Sequence, residues 1–218
     1  MTYRALISDL DGTLLDTLQD LADSVNVALG RLGLPGHELE AYKYFVGDGR
    51  RMMALRALPE DRRDEETLSQ LCTYITEEYS FGWSSKTRPY DGIPELLDTL
   101  TERGIRMSVL SNKPHEYTYP IVTDLLSRWN FEVIAGESPD FPKKPDTTGV
   151  MRILAHMDVK PEECLYIGDS GVDMQTASTA GLLPIGVLWG FRTAEELLEN
   201  GAKILVEKPA EILALLDD

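Results

Sequence analysis

Cysteine is scarce: Cys72 and Cys164 are the only two in 218 residues, and neither sits in a metal-ligand spacing. Two thiols cannot build a disulfide framework, so the chain suits a reducing compartment. Histidine is almost as rare, and His37, His115 and His156 are scattered too widely for a ligand pattern. No apolar run approaches the roughly 20 residues that cross a bilayer. The opening stretch reaches Asp9 too soon for a signal peptide. Basic residues are outnumbered, with 21 Lys and Arg against 37 Asp and Glu and a formal net charge of −16. So acidic a chain excludes non-specific binding to nucleic acid, which needs clustered Lys and Arg, and docking on an anionic membrane. An anionic substrate needs local positive charge or a metal to offset this field. Repeats, low-complexity tracts and glycine-rich linkers are also missing. The expectation is a cytoplasmic protein, monomeric or a small homo-oligomer, with no nucleic-acid or membrane partner.

The composition is that of an ordinary globular chain, 43% hydrophobic and 27% charged. Short apolar runs at 5–8, 107–110, 132–135, 164–167, 183–187 and 204–206 read as strands. Several are nearly continuous, as befits strands buried on both faces of a parallel sheet. Amphipathic helices lie between them. Ile93, Leu96, Leu97 and Leu100 form one stripe, with Pro94 near its start and Gly104 after its end; Val150, Ile153, Leu154 and Met157 form another. Alternation of strands with helices predicts an α/β fold, a doubly wound parallel, Rossmann-like sheet.

One stretch breaks the alternation. Between residues 16 and 83 only helical periodicity appears, in the stripe Leu18, Leu21, Ala22, Val25, Ala28, Leu29, Leu32 and again in Leu68, Leu71, Cys72, Ile75, Tyr79. Thr17-x-x-Asp20 has the form of a capping box opening the first of these helices. The predicted organisation is a core of residues 1–15 and 84–218 with an inserted all-helical cap at 16–83.

Polar groups collect where three strands end. The first runs into Asp9-Leu10-Asp11-Gly12-Thr13, another into Ser111-Asn112-Lys113, and a later one into Gly168-Asp169-Ser170-Gly171-Val172-Asp173. A single strand-end Asp is most simply a turn former or helix cap. Three such ends together, with Lys143-Lys144-Pro145 before a helix, put carboxylates, a hydroxyl and an ammonium on the carboxyl edge where open α/β sheets bind ligands. These groups suit phosphoryl transfer on a hard cation. Mg²⁺ needs only a few oxygen ligands. One carboxylate can attack phosphorus, and a second two residues on can act as general acid and then base. Lysine, hydroxyl and backbone N–H groups can hold the transferring oxygens.

Asp9-Leu10-Asp11-Gly12-Thr13-Leu14-Leu15-Asp16-Thr17, Ser111-Asn112-Lys113, Lys144-Pro145-Asp146 and Gly168-Asp169-Ser170-x-x-Asp173 resemble the four ordered motifs of the haloacid dehalogenase-like hydrolase superfamily. Within it the chain looks most like the phosphoglycolate phosphatase group. The resemblance implies Asp9 as nucleophile and Mg²⁺ ligand, and Asp11 as acid and base with its backbone carbonyl on the metal. It implies Ser111 and Asn112 on the phosphoryl group, together with the Gly12 loop. Lys144 would orient the nucleophile and pair with phosphate, Asp169 would ligate the metal and Asp173 would support it. In the dehalogenase branch the residue two after the nucleophile is no carboxylate, so Asp11 favours phosphate chemistry on a small phosphorylated metabolite, phosphoglycolate foremost.

Val46-Gly47-Asp48-Gly49-Arg50-Arg51 looks like that group's glycine-containing cap loop, with Gly49 and Arg50 as substrate-contacting candidates. Two readings stand: Arg50 meets a substrate carboxylate, or the glycines only turn the chain and the arginines are solvated. Lys113 is within reach of phosphate, but the family pattern gives that task to its neighbours. A β-phosphoglucomutase-like isomerase, passing the aspartyl phosphate to a sugar, is the alternative on the same core. A signalling receiver domain fits poorly, because its acceptor would not lie on the first strand.

Overall fold

The computed structural model describes residues 3–216. The chain opens with β1 (Ala5–Ser8), wholly buried, and a short β2 (Leu15–Asp16). Four helices follow: α1 (Leu18–Arg31), α2 (Leu39–Phe45), α3 (Arg50–Ala57) and α4 (Glu65–Gly82). The chain then passes through β3 (Arg88–Pro89), α5 (Ile93–Glu102), β4 (Arg106–Pro114), α6 (His115–Leu125) and β5 (Phe131–Glu137). It finishes with α7 (Thr148–His156), β6 (Cys164–Gly168), α8 (Gly171–Ala180), β7 (Leu183–Val187), α9 (Ala194–Glu199), β8 (Ile204–Val206) and α10 (Ala210–Ala214).

Six strands form one sheet in the order β5-β4-β1-β6-β7-β8, every neighbouring pair parallel. β1 is central, and successive strands first build outward on the β4 side and then return to the β6 side. This reversal beside β1 is the switch point at which open α/β sheets form crevices. Alternation along β1 feeds two cores: Leu6 packs with Leu96, Leu97 and Leu100 on one face, and Ala5 and Ile7 with Val150, Ile153 and Leu154 on the other. The helical stripes thus cover both faces of the sheet, as their periodicity predicts.

Two local readings differ. β4 does not stop at residue 110 but runs on through Ser111-Asn112-Lys113 to Pro114, because its pairing with β5 resumes at Pro114 and Glu137 after a register shift. The motif therefore sits on extended backbone. Nor is Thr17-x-x-Asp20 a capping box. Thr17 makes no side-chain cap bond, and its Oγ1 is buried without a partner among the described residues. The Asp20 carboxylate instead accepts from Lys86 N–H at 2.9 Å and from the Thr87 N–H and hydroxyl at 2.8 and 2.7 Å. An acid that looks local is the tie between the two strands of chain leading into and out of the helical stretch. Those strands also pair directly, Leu15 with Pro89 and Asp16 with Arg88.

From α1 to α4 no element is a strand, although β2 takes in Asp16 at the start of the stretch, and α1 and α4 bury Leu21, Val25, Leu68, Leu71 and Ile75 within the main hydrophobic core. Among the described residues no helix is long and apolar enough to cross a membrane.

Candidate active site

The register of the sheet builds the site. Ser8 of β1 lies level with Val109 of β4 and Ile167 of β6, so Asp9 emerges one step before Asp169, and the Asp9 N–H is held by the Ile167 carbonyl at 3.0 Å. Asp9, Asp169 and Asp173 are all buried and present oxygens within 4.8 Å of one another. Lys144, also buried, stands between them, its Nζ 2.8 Å from Asp9 Oδ1 and 2.7 Å from Asp173 Oδ1. The Asp9 contact is a buried ion pair.

The acids differ in their partners. Asp173 is fully engaged, with Lys144 and the Tyr166 hydroxyl on one oxygen and the Ser170 N–H and hydroxyl on the other. Asp169 accepts from the Phe191 N–H at 2.7 Å. Burial pushes the Asp9 carboxyl up to about 7, reinforced by Asp173 and Asp11 against the pull of Lys144. Asp169 is likewise raised well above the usual carboxylate range by burial, then by Asp9 and Asp173. Burial alone would lower Lys144, but Asp173 and Asp9 outweigh it and hold the ammonium charged. Three carboxylates facing one buried ammonium leave negative charge uncompensated, and the donors are all oxygen. That set fits a hard divalent cation between Asp9 and Asp169.

Gly12 and Gly190 make this closeness possible. At φ +83° Gly12 occupies a left-handed conformation, and a Cβ there would fall 2.3 Å from Asp169 Oδ2. A Cβ on Gly190 would fall 2.3 Å from the Asp169 Cβ and 2.4 Å from the Gly12 carbonyl oxygen.

Asp11 faces a lysine passed over in the sequence. Lys113 Nζ bridges both Asp11 oxygens at 2.9 and 3.0 Å and lies 4.8 Å from the Tyr79 ring centroid. Burial alone would lower Lys113; Asp11 and Tyr79 outweigh it and raise it. A signal for it exists: on extended backbone side chains alternate, so Ser111 and Lys113 share a face and Asn112 takes the other. Asn112 accordingly points elsewhere, its Oδ1 accepting from the Lys144 N–H at 2.7 Å and its Nδ2 donating to the Lys144 and Gly47 carbonyls.

Asp9, Asp11, Ser111, Lys113 and Asp169 open into a chamber of about 60 Å³, roofed from the helical stretch by Gly49, Arg50, Met53, Ile75 and Tyr79. At ~10–15 Å³ per water centre this holds about five waters. Arg50 reaches the chamber with its guanidinium 2.7 Å from the Thr76 hydroxyl and 3.6 Å from Glu116. The structure thus brings together the candidate site residues Asp9, Asp11, Ser111, Asn112, Lys144, Asp169 and Asp173, which lie up to 164 positions apart, while Asp146 of the third motif is exposed and bonded to Thr148. His37, by contrast, lies away from the chamber, bonded to the Ala57 carbonyl, and burial pushes the Cys164 thiol up to about 12.

The sequence profile of the haloacid dehalogenase-like hydrolases matches residues 6–187, which spans β1 to β7 and all four motifs. The chain belongs to this family. This hydrolase is 29% identical over 218 residues to the phosphoglycolate phosphatase of Pseudomonas putida, covering 96% of this chain and 76% of the relative. It is 27% identical over 215 residues to that of Aquifex aeolicus, covering 99% and 97%. A crystal structure of a candidate phosphoglycolate phosphatase from Lactobacillus delbrueckii subsp. bulgaricus superposes with a TM-score of 0.93 at 27% identity, covering 99% of both chains. The last agreement extends over the helical stretch as well as the sheet.

Proposed function

We propose that this hydrolase is a Mg²⁺-dependent phosphatase of small phosphomonoesters, with phosphoglycolate as the favoured substrate. The observation that carries the reading is the buried cluster of Asp9, Asp169 and Asp173 around Lys144, set beneath a chamber too small for a macromolecule. The names of the relatives point to the same substrate class. Asp9 and Asp169, with the Asp11 backbone carbonyl, would hold the cation. When bound it supplies positive charge that neutralises the acids and the phosphoryl oxygens.

The chain's own residues then divide the work. Asp9 attacks phosphorus while the bond from phosphorus to the substrate's ester oxygen breaks, leaving an aspartyl phosphate. Asp11 gives its proton to the departing oxygen. It next takes a proton from water, whose oxygen attacks phosphorus and releases Asp9 and inorganic phosphate, and Asp11 is reset as an acid. Lys144, anchored by Asp173, keeps Asp9 aimed into the chamber, and Asn112 fixes Lys144 through its main chain. Ser111, Lys113 and the Gly12 loop face the transferring oxygens, with Lys113 giving up part of its hold on Asp11 when phosphoryl charge enters.

Residues 16–83 form the cap, hinged where β2 pairs with β3, and Gly49 and Arg50 carry substrate choice. Arg50 would meet a substrate carboxylate by exchanging Glu116 for it. The protein works in the cytoplasm, as a monomer or small homo-oligomer. Screening phosphomonoesters for inorganic phosphate release with Mg²⁺ and then with a chelator tests the reading. Release should require the cation, vanish in Asp9→Asn, and fall about 10²–10⁴-fold in Asp11→Asn on an alkyl phosphate. Undiminished turnover after exhaustive chelation overturns the metal assignment, and sugar-phosphate rearrangement without phosphate release overturns the hydrolase in favour of an isomerase.

A further inference from the structure

The helical stretch is fastened to the core at one place by an arginine that no motif includes. Helix α2 is short, and the carbonyls of Lys43, Tyr44 and Phe45 at its end and of Val46 just after it lie beyond its last hydrogen bond, from the Val46 N–H to Tyr42. Two arginines divide them. Arg56, from α3 of the same stretch, donates to Tyr44 and Phe45 and pairs with Asp48. Arg192, from the core segment after β7, donates to Lys43 and, at 2.8 Å, to Val46. Its guanidinium lies 5.5 Å from the Tyr44 ring centroid, its Nε meets Glu196 at 3.2 Å, and its side chain is only 8% exposed. The forked geometry of guanidinium suits two carbonyls at once, and its charge complements a helix C-terminus.

The segment that presents Arg192 is built on the catalytic loops. Trp189 Nε1 donates to the Thr13 carbonyl at 2.9 Å, in the loop that carries Asp11. Phe191 N–H donates to Asp169, and Gly190 fits only because it has no side chain to collide with that acid. Both anchors are core groups, so Arg192 projects from a fixed base. The carbonyls it grips immediately precede Gly47, Gly49 and Arg50, which roof the chamber.

We propose that Arg192 is a positioning residue that latches the helical stretch over the site and sets the roof loop at its working distance from Asp9 and Asp169. The proposal rests on the phosphatase reading for its kinetic consequence, but not for the latch itself. A closing equilibrium governs apparent affinity, because substrate binds productively only to the fraction of molecules that are shut. Losing two charge-assisted hydrogen bonds across the seam lowers that fraction, whereas losing the Arg56 bonds loosens α2 without opening the seam.

The experiment compares Arg192→Ala, Arg192→Lys and Arg56→Ala with the unaltered chain, by steady-state kinetics on a small phosphomonoester and by amide hydrogen exchange. Arg192→Ala should raise KM about tenfold with kcat within about threefold. It should speed exchange on both sides of the seam, at 43–50 and at 189–196. Arg192→Lys, which keeps the charge but not the fork, should fall between, and it carries the test if the alanine variant does not fold. Arg56→Ala should speed exchange at 43–50 alone and leave KM within about twofold. A fall in kcat at unchanged KM, an Arg56→Ala effect equal to that of Arg192→Ala, or a raised KM with unaltered exchange overturns the latch. If the unaltered chain hydrolyses no phosphomonoester, the phosphatase reading fails while the exchange comparison still decides the latch.

Discussion

Asp9 should destabilise the metal-free protein it serves. Its carboxyl is only 7% exposed among two other buried acids, and burial raises it from 3.8 to about 7. A shift of about three units at ~1.36 kcal/mol each is about 4 kcal/mol between the protonated and ionised forms. The sign follows from proton binding. The folded chain holds this proton more tightly than the unfolded one, so the stability it contributes is complete below the unfolded pKa near 3.8 and is lost as pH rises through about 7. Asp9→Asn is neutral throughout and keeps that stability. At pH 8 in chelator the variant should therefore melt above the parent, with about 4 kcal/mol as the ceiling because Lys144 loses one of its two carboxylates. For a chain of this size ~1 kcal/mol moves Tm by about 2–4 °C, so the gain is at most about 16 °C. It should shrink steadily towards pH 4. Mg²⁺ should reverse it, since a cation that binds the folded parent stabilises it by mass action and Asp9→Asn lacks one proposed ligand. Differential scanning calorimetry at pH 4, 6 and 8, with and without Mg²⁺, measures all of this. A variant that melts below the parent at pH 8 in chelator, or whose gain is independent of pH, would refute the electrostatic account.

Other perturbations address other parts of the molecule. Asp20→Ala leaves the Lys86 and Thr87 N–H groups without their acceptor, and at about 1–3 kcal/mol for a stranded buried group the loss of Tm on thermal melting should be about 2–12 °C. Lys113→Met removes the ammonium that clasps Asp11 and should lower kcat about 10²-fold, with Tm measured alongside to show that the fold persists. Arg50→Ala should raise KM about tenfold for a carboxylated phosphomonoester and about twofold or less for a neutral aryl phosphate; equal effects on both would return Arg50 to a solvated surface role.

Much of this was readable along the chain. The strands at 5–8, 183–187 and 204–206 coincide with those observed, because continuous apolar runs flanked by turn residues leave few other conformations. Helix stripes such as Ile93, Leu96, Leu97 and Leu100 found the core face their period implied. Motif order was legible too, because each motif lies at a strand end and parallel strands gather their carboxyl ends along one edge. Where the reading fell short, the deciding partner lay far away in sequence. Thr17-x-x-Asp20 has the spacing of a cap, yet Asp20 binds a segment 67 residues on. Lys113 stands in the sequence within reach of phosphate, but its pairing with Asp11 shows only once β4 is seen to continue through it.

By itself the sequence determined the alternation of the six sheet strands with helices and the family, since apolar period and short motifs are properties of consecutive residues, while the short β2 and β3 and the extension of β4 came only with the structure. Tertiary structure alone decided that Lys144 stands between Asp9 and Asp173, that Lys113 clasps Asp11, and that Arg192 reaches across to α2. These pairings depend on which strands lie side by side and in what register. A one-dimensional pattern specifies that a residue faces inward, but the neighbour it meets there is chosen by the packing of the whole chain.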